Sequence, residues 1–275
     1  MDPSWRFLLE ILPSWMREPV DRLGRDNLSQ LRLRLGQPPR LEFSQGSWLL
    51  TQSVTAGDLD HCINAASRYS PWSQDSARQG YLRVEGGHRI GVCGRTVVKN
   101  GQVTGFQAVT SLCIRVARDI EGLVGPECAD WGSILILGAP GWGKTTLLRD
   151  LARRIAEQET VSVVDERGEL FPEGFEIGQH MDILTGVPKP QGVEMVLKTM
   201  GPAYIAVDEI TSEADSLVML QAANCGVHLL ATVHGSGLSD LGQRPMYRRL
   251  LEAGVFRQIL VLSRDQSYRR ERVTV

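Results

Sequence analysis

The octapeptide Gly138-Ala-Pro-Gly-Trp-Gly-Lys144-Thr145 constrains this chain more than any other stretch. It is a full G-x-x-x-x-G-K-[ST] match. It lies between a short apolar run at 133–137 and a segment with apolar residues at helical spacing, Leu147, Leu148, Leu151, Ala152, Ile155 and Ala156. A strand, a glycine loop and a helix in that order suit one kind of ligand. The glycines let successive backbone N–H groups converge on phosphate oxygens, and the helix N-terminus adds partial positive charge. Gly138, Ala139, Pro140, Gly141, Trp142, Gly143, Lys144, Thr145 and Thr146 are therefore the expected nucleotide-binding residues. Lys144 would reach the β- and γ-phosphates, and the Thr145 hydroxyl would join the shell of a Mg²⁺ ion. The chain has four lysines against 26 arginines, so a lysine at this place stands out from its background. ATP and Mg²⁺ are the cofactors that follow.

The surroundings of the loop predict an α/β domain. Further apolar runs at 161–164, 204–207, 229–233 and 259–262 alternate with helical segments, the pattern of a parallel sheet covered on both faces. The first half reads differently. A helix from Trp5 to Ile11 is interrupted at Pro13 and resumes toward Leu23. Leu31-Arg-Leu-Arg-Leu35 alternates like a half-buried strand, and 41–43 and 48–50 look like further short strands. Thr55 with Asp58 three residues on forms a capping box for a helix reaching about Ser67. From 80 to 117 the chain turns strand-like again, with turn signals at Gly86-Gly87 and Asn100-Gly101, the second a strong hairpin marker. Residues 1–122 are thus expected to form a smaller α+β domain with an antiparallel sheet. A boundary rich in Gly, Pro and acids falls near 122–129, and residues 130–275 form the second domain.

Composition excludes several classes. At 42% apolar residues over 275 positions, two cores are affordable and disorder is not expected. A net charge of -2 argues against a protein whose main business is coating nucleic acid. The longest apolar runs are strand-sized, far below the roughly 20 residues of a spanning helix, and the opening Met1-Asp2-Pro3 carries no secretory pattern. Five scattered cysteines without a C-x-x-C pair fit reduced thiols of a cytosolic protein, packed as small apolar side chains.

Three further clusters carry chemistry. Tyr204-Ile-Ala-Val-Asp208-Glu209 is an apolar strand ending in two carboxylates. Asp208 is the expected Mg²⁺ ligand, and Glu209 the group that polarises an attacking water, since in-line hydrolysis needs a positioned base. Val164-Asp165-Glu166-Arg167-Gly168-Glu169 puts three acids at the end of another strand, where parallel sheets crowd their ligands. Ala231-Thr232-Val233-His234-Gly235 ends a third strand, with Thr232 or His234 able to sense the γ-phosphate. Arg89, Arg115 and Arg118 lie on strand-like segments of the first half and suit bidentate phosphate contacts. The eight arginines from residue 241 onward lack interleaved aromatics beyond Tyr247 and Tyr268, and read as surface or subunit contact.

Taken together, GYLRVEGGHRIGVCGR at 80–95, SLCIRVAR at 111–118, the loop and helix at 138–151, VDERGE at 164–169, DILTGVPKPQG at 182–192, and the stretches 207–210 and 231–235 carry a resemblance. The chain resembles the stage III sporulation AA family of the secretion-ATPase superfamily, which also powers type II and type IV secretion and pilus retraction. The resemblance implies a RecA-like P-loop domain in a homohexameric ring ATPase, with the N-terminal domain packed over the nucleotide. It identifies Asp165, Glu166 and Glu169 with the family's Asp box and His234 with its histidine box. By position Arg89 and Arg115 would reach the γ-phosphate, so that Glu209, Glu166, His234, Arg89 and Arg115 form the catalytic set. It further implies a cytoplasmic protein held on the mother-cell side of a sporulation channel by membrane proteins of that channel complex, with no sequence-specific nucleic acid as partner. Trp142 and Gly168 depart from the smaller or polar residues expected there. Two other readings stand beside the motor. One is a nucleic-acid-dependent RecA-like ATPase, which DNA stimulation of hydrolysis would reveal; the other is a nucleotide-regulated assembly factor that scarcely turns over.

Overall fold

The computed structural model describes residues 3–24, 27–43, 46–68, 80–125, 128 and 131–273. The opening Met1-Asp2 and residues 126, 127 and 129 of the expected boundary lie outside them. The chain divides into two compact units, Met1–Arg118 with Pro172–Phe175, and Asp119–Phe171 with Glu176–Val275.

The first unit opens with α1 (Pro3–Ile11) and α2 (Ser14–Leu23), separated at Pro13, whose ring leaves it no N–H to give a continuing helix. Strands β1 (Leu28–Arg34), β2 (Arg40–Phe43) and β3 (Gly46–Leu49) lead to α3 (Ala56–Ala66). Thr55 and Asp58 cap α3 reciprocally, each accepting from the other's backbone N–H. Then follow β4 (Tyr81–Arg83), β5 (Arg89–Lys99) and β6 (Gln102–Arg115). Asn100 and Gly101, at φ 53° and 75°, close the β5–β6 hairpin with both central residues left-handed, the reason Asn-Gly suits this turn. The sheet runs β3-β2-β1-β6-β5-β4 and is antiparallel throughout. Alternate residues Leu31, Leu33, Ile90, Leu112 and Ile114 are fully buried or nearly so and pack in one core with Leu8, Leu12, Met16 and Leu59 of the helices. Because β6 stops at Arg115, Arg118 lies beyond the strand expected to carry it.

The second unit is built on β7 (Ile134–Gly138), α4 (Lys144–Ile155), β8 (Val161–Asp165), β9 (Met181–Thr185) and α5 (Lys189–Thr199). It continues with β10 (Tyr204–Val207), α6 (Glu213–Asn224), β11 (His228–His234), α7 (Leu238–Gln243), α8 (Pro245–Glu252), β12 (Gln258–Leu262) and β13 (Tyr268–Arg272). The sheet order is β13-β12-β7-β11-β10-β8-β9, parallel except at β13. All five expected strands are present, and two more sit at the edges. Neither edge strand has the continuous apolar run of a doubly covered one: β9 is buried only at its first residue, and β13 reads Tyr-Arg-Arg-Glu-Arg.

Successive strand residues point to opposite faces, and each face has its own core. Leu135, Leu137, Ile205, Val207, Leu229 and Ala231 pack with α5, α6 and α8, while Ile134, Ile136, Val163, Ala206 and Leu230 pack with α4. At about 1.5–3 kcal/mol per buried large aliphatic side chain, these two layers supply most of what holds the strand ends in place. Behind α4 a buried polar network anchors the segment leading into the unit. Asp150 accepts from the backbone N–H groups of Gly122, Leu123 and Val124, and Arg153 pairs with Asp119.

All five cysteines are free. Cys62 and Cys128 are buried as expected, and burial pushes the Cys62 thiol up to about 12. Cys93 and Cys225 are exposed and Cys113 half-buried, against the expectation of uniform burial, because Cys93 lies on the part of β5 beyond the core and Cys225 just past the end of α6. Among the described residues no helix is long and apolar enough to cross a membrane.

Candidate functional site

Parallel pairing brings the C-terminal ends of β7, β8, β10 and β11 to one edge of the second unit. A cleft of about 420 Å³ opens there, lined by the glycine loop, the acidic ends of β8 and β10, and the polar end of β11. Position at this edge is what a parallel sheet gives a ligand.

The loop takes the conformation its glycines permit. Gly141 and Gly143 stand at φ 78° and 95°, where a side chain would be strained. No side chain caps the N-terminus of α4, so its first N–H groups face the cleft as donors for an anion. Trp142 is half-buried and packs against the α4 core, which explains how an indole is tolerated in a phosphate loop. Gly168, the other departure, has φ 63°, a conformation that favours glycine over Ser or Thr.

Lys144 is buried and its ammonium donates to the Ala139 carbonyl at 3.2 Å and to His234 Nδ1 at 2.9 Å. Burial pulls its pKa below the ordinary lysine range, against the opposing pull of Glu209 and Asp208. His234 Nε2 lies 2.8 Å from Glu209 Oε1. With Nδ1 accepting and Nε2 donating, the imidazole links the loop lysine to the carboxylate at the end of β10.

Asp208 is held from two sides. Its Oδ2 accepts from Thr145 Oγ1 at 3.1 Å and its Oδ1 from Thr232 Oγ1 at 2.8 Å. Thr232 Oγ1 in turn accepts the Glu209 N–H at 3.0 Å. Glu209 has φ 27°, a left-handed backbone that is rare for a side chain of this size and costs about 1–3 kcal/mol. The ends of β10 and β11 and the start of α4 therefore meet at Asp208 and Glu209.

The β8 end behaves otherwise. Asp165 is buried, and its carboxylate accepts from the backbone N–H groups of Glu169, Leu170 and Phe171 at 2.8–3.0 Å. Arg149 donates to the Leu170 and Glu169 carbonyls of the same turn, and burial brings its pKa down to about 10. Asp165 thus folds the loop that follows it. Glu166 reaches the cleft and pairs with Lys189 at 2.7 Å, a partner that sequence reasoning did not single out. Its signal was present: a scarce lysine set between Pro188 and Pro190.

Arg89 and Arg115 are directly paired on β5 and β6, hence on one face of the antiparallel sheet, and the Arg89 guanidinium stacks over the Tyr81 ring at 3.6 Å. They belong to the first unit, and neither is among the residues that line the cleft.

The oxygen donors fit a magnesium–nucleotide pair. Thr145 and Asp208 offer one hydroxyl and one carboxylate in contact, and among the described residues no group of three or more His, Cys, Asp or Glu forms a protein cage for a metal. Mg²⁺ suits such a sparse set, because it keeps waters and takes further oxygens from substrate phosphates.

A family model described as Sporulation stage III, protein AA matches residues 8–272. Stage III sporulation protein AA of Bacillus subtilis (strain 168) is 33% identical over 278 residues, covering 94% of this chain and 90% of that protein. Two solved structures share the fold. The Legionella pneumophila ATPase DotB gives a TM-score of 0.65 at 19% identity, over 94% of this chain and 79% of that one. The pilus retraction motor PilT with bound ADP gives 0.65 at 16% identity, over 92% and 77%. The α/β architecture is thus that of a RecA-like P-loop protein preceded by an antiparallel α+β unit, and the chain belongs to the Sporulation stage III, protein AA family.

Proposed function

We propose that this chain is a secretion-type motor ATPase that hydrolyses ATP to ADP and phosphate. The observation that carries the reading is the convergence of Lys144, Thr145, Asp208, Glu209 and His234 on one cleft at the C-terminal edge of the parallel sheet. Gly138 to Thr146 would cradle the phosphates, with backbone N–H groups of the α4 N-terminus on the β-phosphate and Lys144 on the β- and γ-oxygens. Thr145 and Asp208 would hold Mg²⁺, which when bound offsets phosphate charge.

In this reading Lys144 exchanges His234 for the nucleotide, and His234 keeps its Nε2 on Glu209. Glu209 orients a water and takes its proton as the water oxygen bonds to the γ-phosphorus and the bond to the β-phosphate oxygen breaks. Glu166 adds a second carboxylate to the cleft, and Arg89 and Arg115 are the arginines proposed to reach the γ-phosphate in the assembled ring. The proposed biological setting is a homohexamer on the cytoplasmic, mother-cell face of a sporulation channel, docked on that channel's membrane proteins; the sporulation relative and the ATPase and motor folds support only a sporulation ATPase.

Calorimetry with ATP and Mg²⁺, paired with turnover measurements on the assembled ring, tests the reading. Lys144→Ala is expected to abolish nucleotide association. Glu209→Gln is expected to keep it and to lower turnover by about 100-fold or more. Turnover unchanged in both variants, or no heat with the wild-type chain, would overturn the proposal.

A further inference from the structure

Lys189 opens α5, and only 7% of it is exposed. A buried ammonium is costly unless it is paired. Its partner is Glu166, 2.7 Å away, and both side chains line the cleft that holds Lys144 and Glu209. The mount is rigid. Pro188 and Pro190 flank the residue, and α5 presses against β8 through Gly192, where an added Cβ would lie 2.5 Å from Val164 Cγ1 and 2.9 Å from Val187 Cγ1. Val164 stands two residues before Glu166, so the backbone carrying the lysine is locked to the strand end carrying the glutamate.

The charge pattern says what the lock is for. Asp165, Glu166, Glu169, Asp208 and Glu209 line the cleft against Lys144, Arg167 and Lys189, an excess of acid in a place meant for phosphates. Asp165 is consumed by backbone donors, and Asp208 and Glu209 have partners on α4 and β11. Glu166, with a side chain 38% exposed, would swing into solvent as a triphosphate approached unless a fixed cation held it.

We infer that Lys189 is a positioning residue: it pins Glu166 inside the cleft and offsets its charge, so that Glu166 helps order the attacking water when nucleotide is bound. The inference rests on the ATPase reading, and a cycle of variants in the full chain separates the two. Lys189→Met, Glu166→Gln, the double variant, Lys189→Arg and Lys144→Ala are compared for affinity toward a fluorescent ATP analogue, for kcat and KM, and for thermal melting. Lys189→Met should bind the analogue within about twofold of wild type and lose about tenfold in kcat, while Lys189→Arg restores most of that loss. In the Glu166→Gln background, Lys189→Met should cost less than about twofold more, because a positioning residue has nothing left to position.

An equal loss in both backgrounds would overturn the inference, as would lost analogue binding at unchanged kcat, which would put Lys189 on the phosphates themselves. Wild-type kcat in Lys189→Met would also overturn it and leave the ATPase reading standing. A wild-type chain no more active than Lys144→Ala would overturn both. Should Lys189→Met fail to melt cooperatively, Lys189→Arg decides: activity as low as that of Glu166→Gln in a variant that melts like wild type would defeat the pairing.

Discussion

Strands β8 and β10 lie side by side and run out through the same three residues, Val164-Asp165-Glu166 and Val207-Asp208-Glu209, with Val164 opposite Val207 in the ladder. Their carboxylates have different fates. Asp165 turns to the backbone of its own loop and closes three N–H groups around itself. Asp208 turns to Thr145 of the phosphate loop and Thr232 of the next strand. Glu166 stands against a buried lysine in a relaxed backbone, whereas Glu209 stands against His234 with its own backbone forced to φ 27°. An acidic pair at a strand end becomes structural or chemical according to what the neighbouring elements leave unpaired.

The sharpest way to break this contrast is to remove each aspartate. Asp165→Ala strands three N–H donors, two of them buried, beside a buried Arg149, and should cost about 3–5 kcal/mol of stability in urea denaturation. A variant as stable as wild type would show that the carboxylate is not what folds the 169–171 turn.

Asp208→Asn keeps a hydrogen-bonding side chain between two threonines. It should melt within about 1 kcal/mol of wild type yet weaken Mg²⁺-dependent ATP association about tenfold, a loss of about 1.4 kcal/mol. Equal ATP affinity in wild type and variant across a magnesium titration would remove Asp208 from the ion's shell.

The glutamates offer the smallest test. Glycine relieves strain only where φ is positive, so Glu209→Gly should be about 1 kcal/mol less destabilising than Glu166→Gly in parallel melts. The reverse order would mean that the left-handed backbone at Glu209 stores no strain.

Much of this molecule was legible before any coordinates. The glycine loop, its flanking strand and helix, the Asn100-Gly101 hairpin and the Thr55–Asp58 capping box are local devices, each set by the steric freedom of one or two residues or by partners within four positions. The five central strands were legible for a related reason: a strand covered on both faces must be apolar throughout, whatever lies beside it. The edge strands β9 and β13 carry no such demand, so neither was among the expected strands.

What only the tertiary structure decided is which side chains meet. The two Val-Asp-Glu ends are the same in sequence, and their division of labour comes from partners 20 or more residues away: Thr232 for Asp208, His234 for Glu209 and Lys189 for Glu166. Such pairings depend on strand order and on how closely α5 sits on β8, and a chain read from one end to the other holds no distance between residues that meet only after it folds.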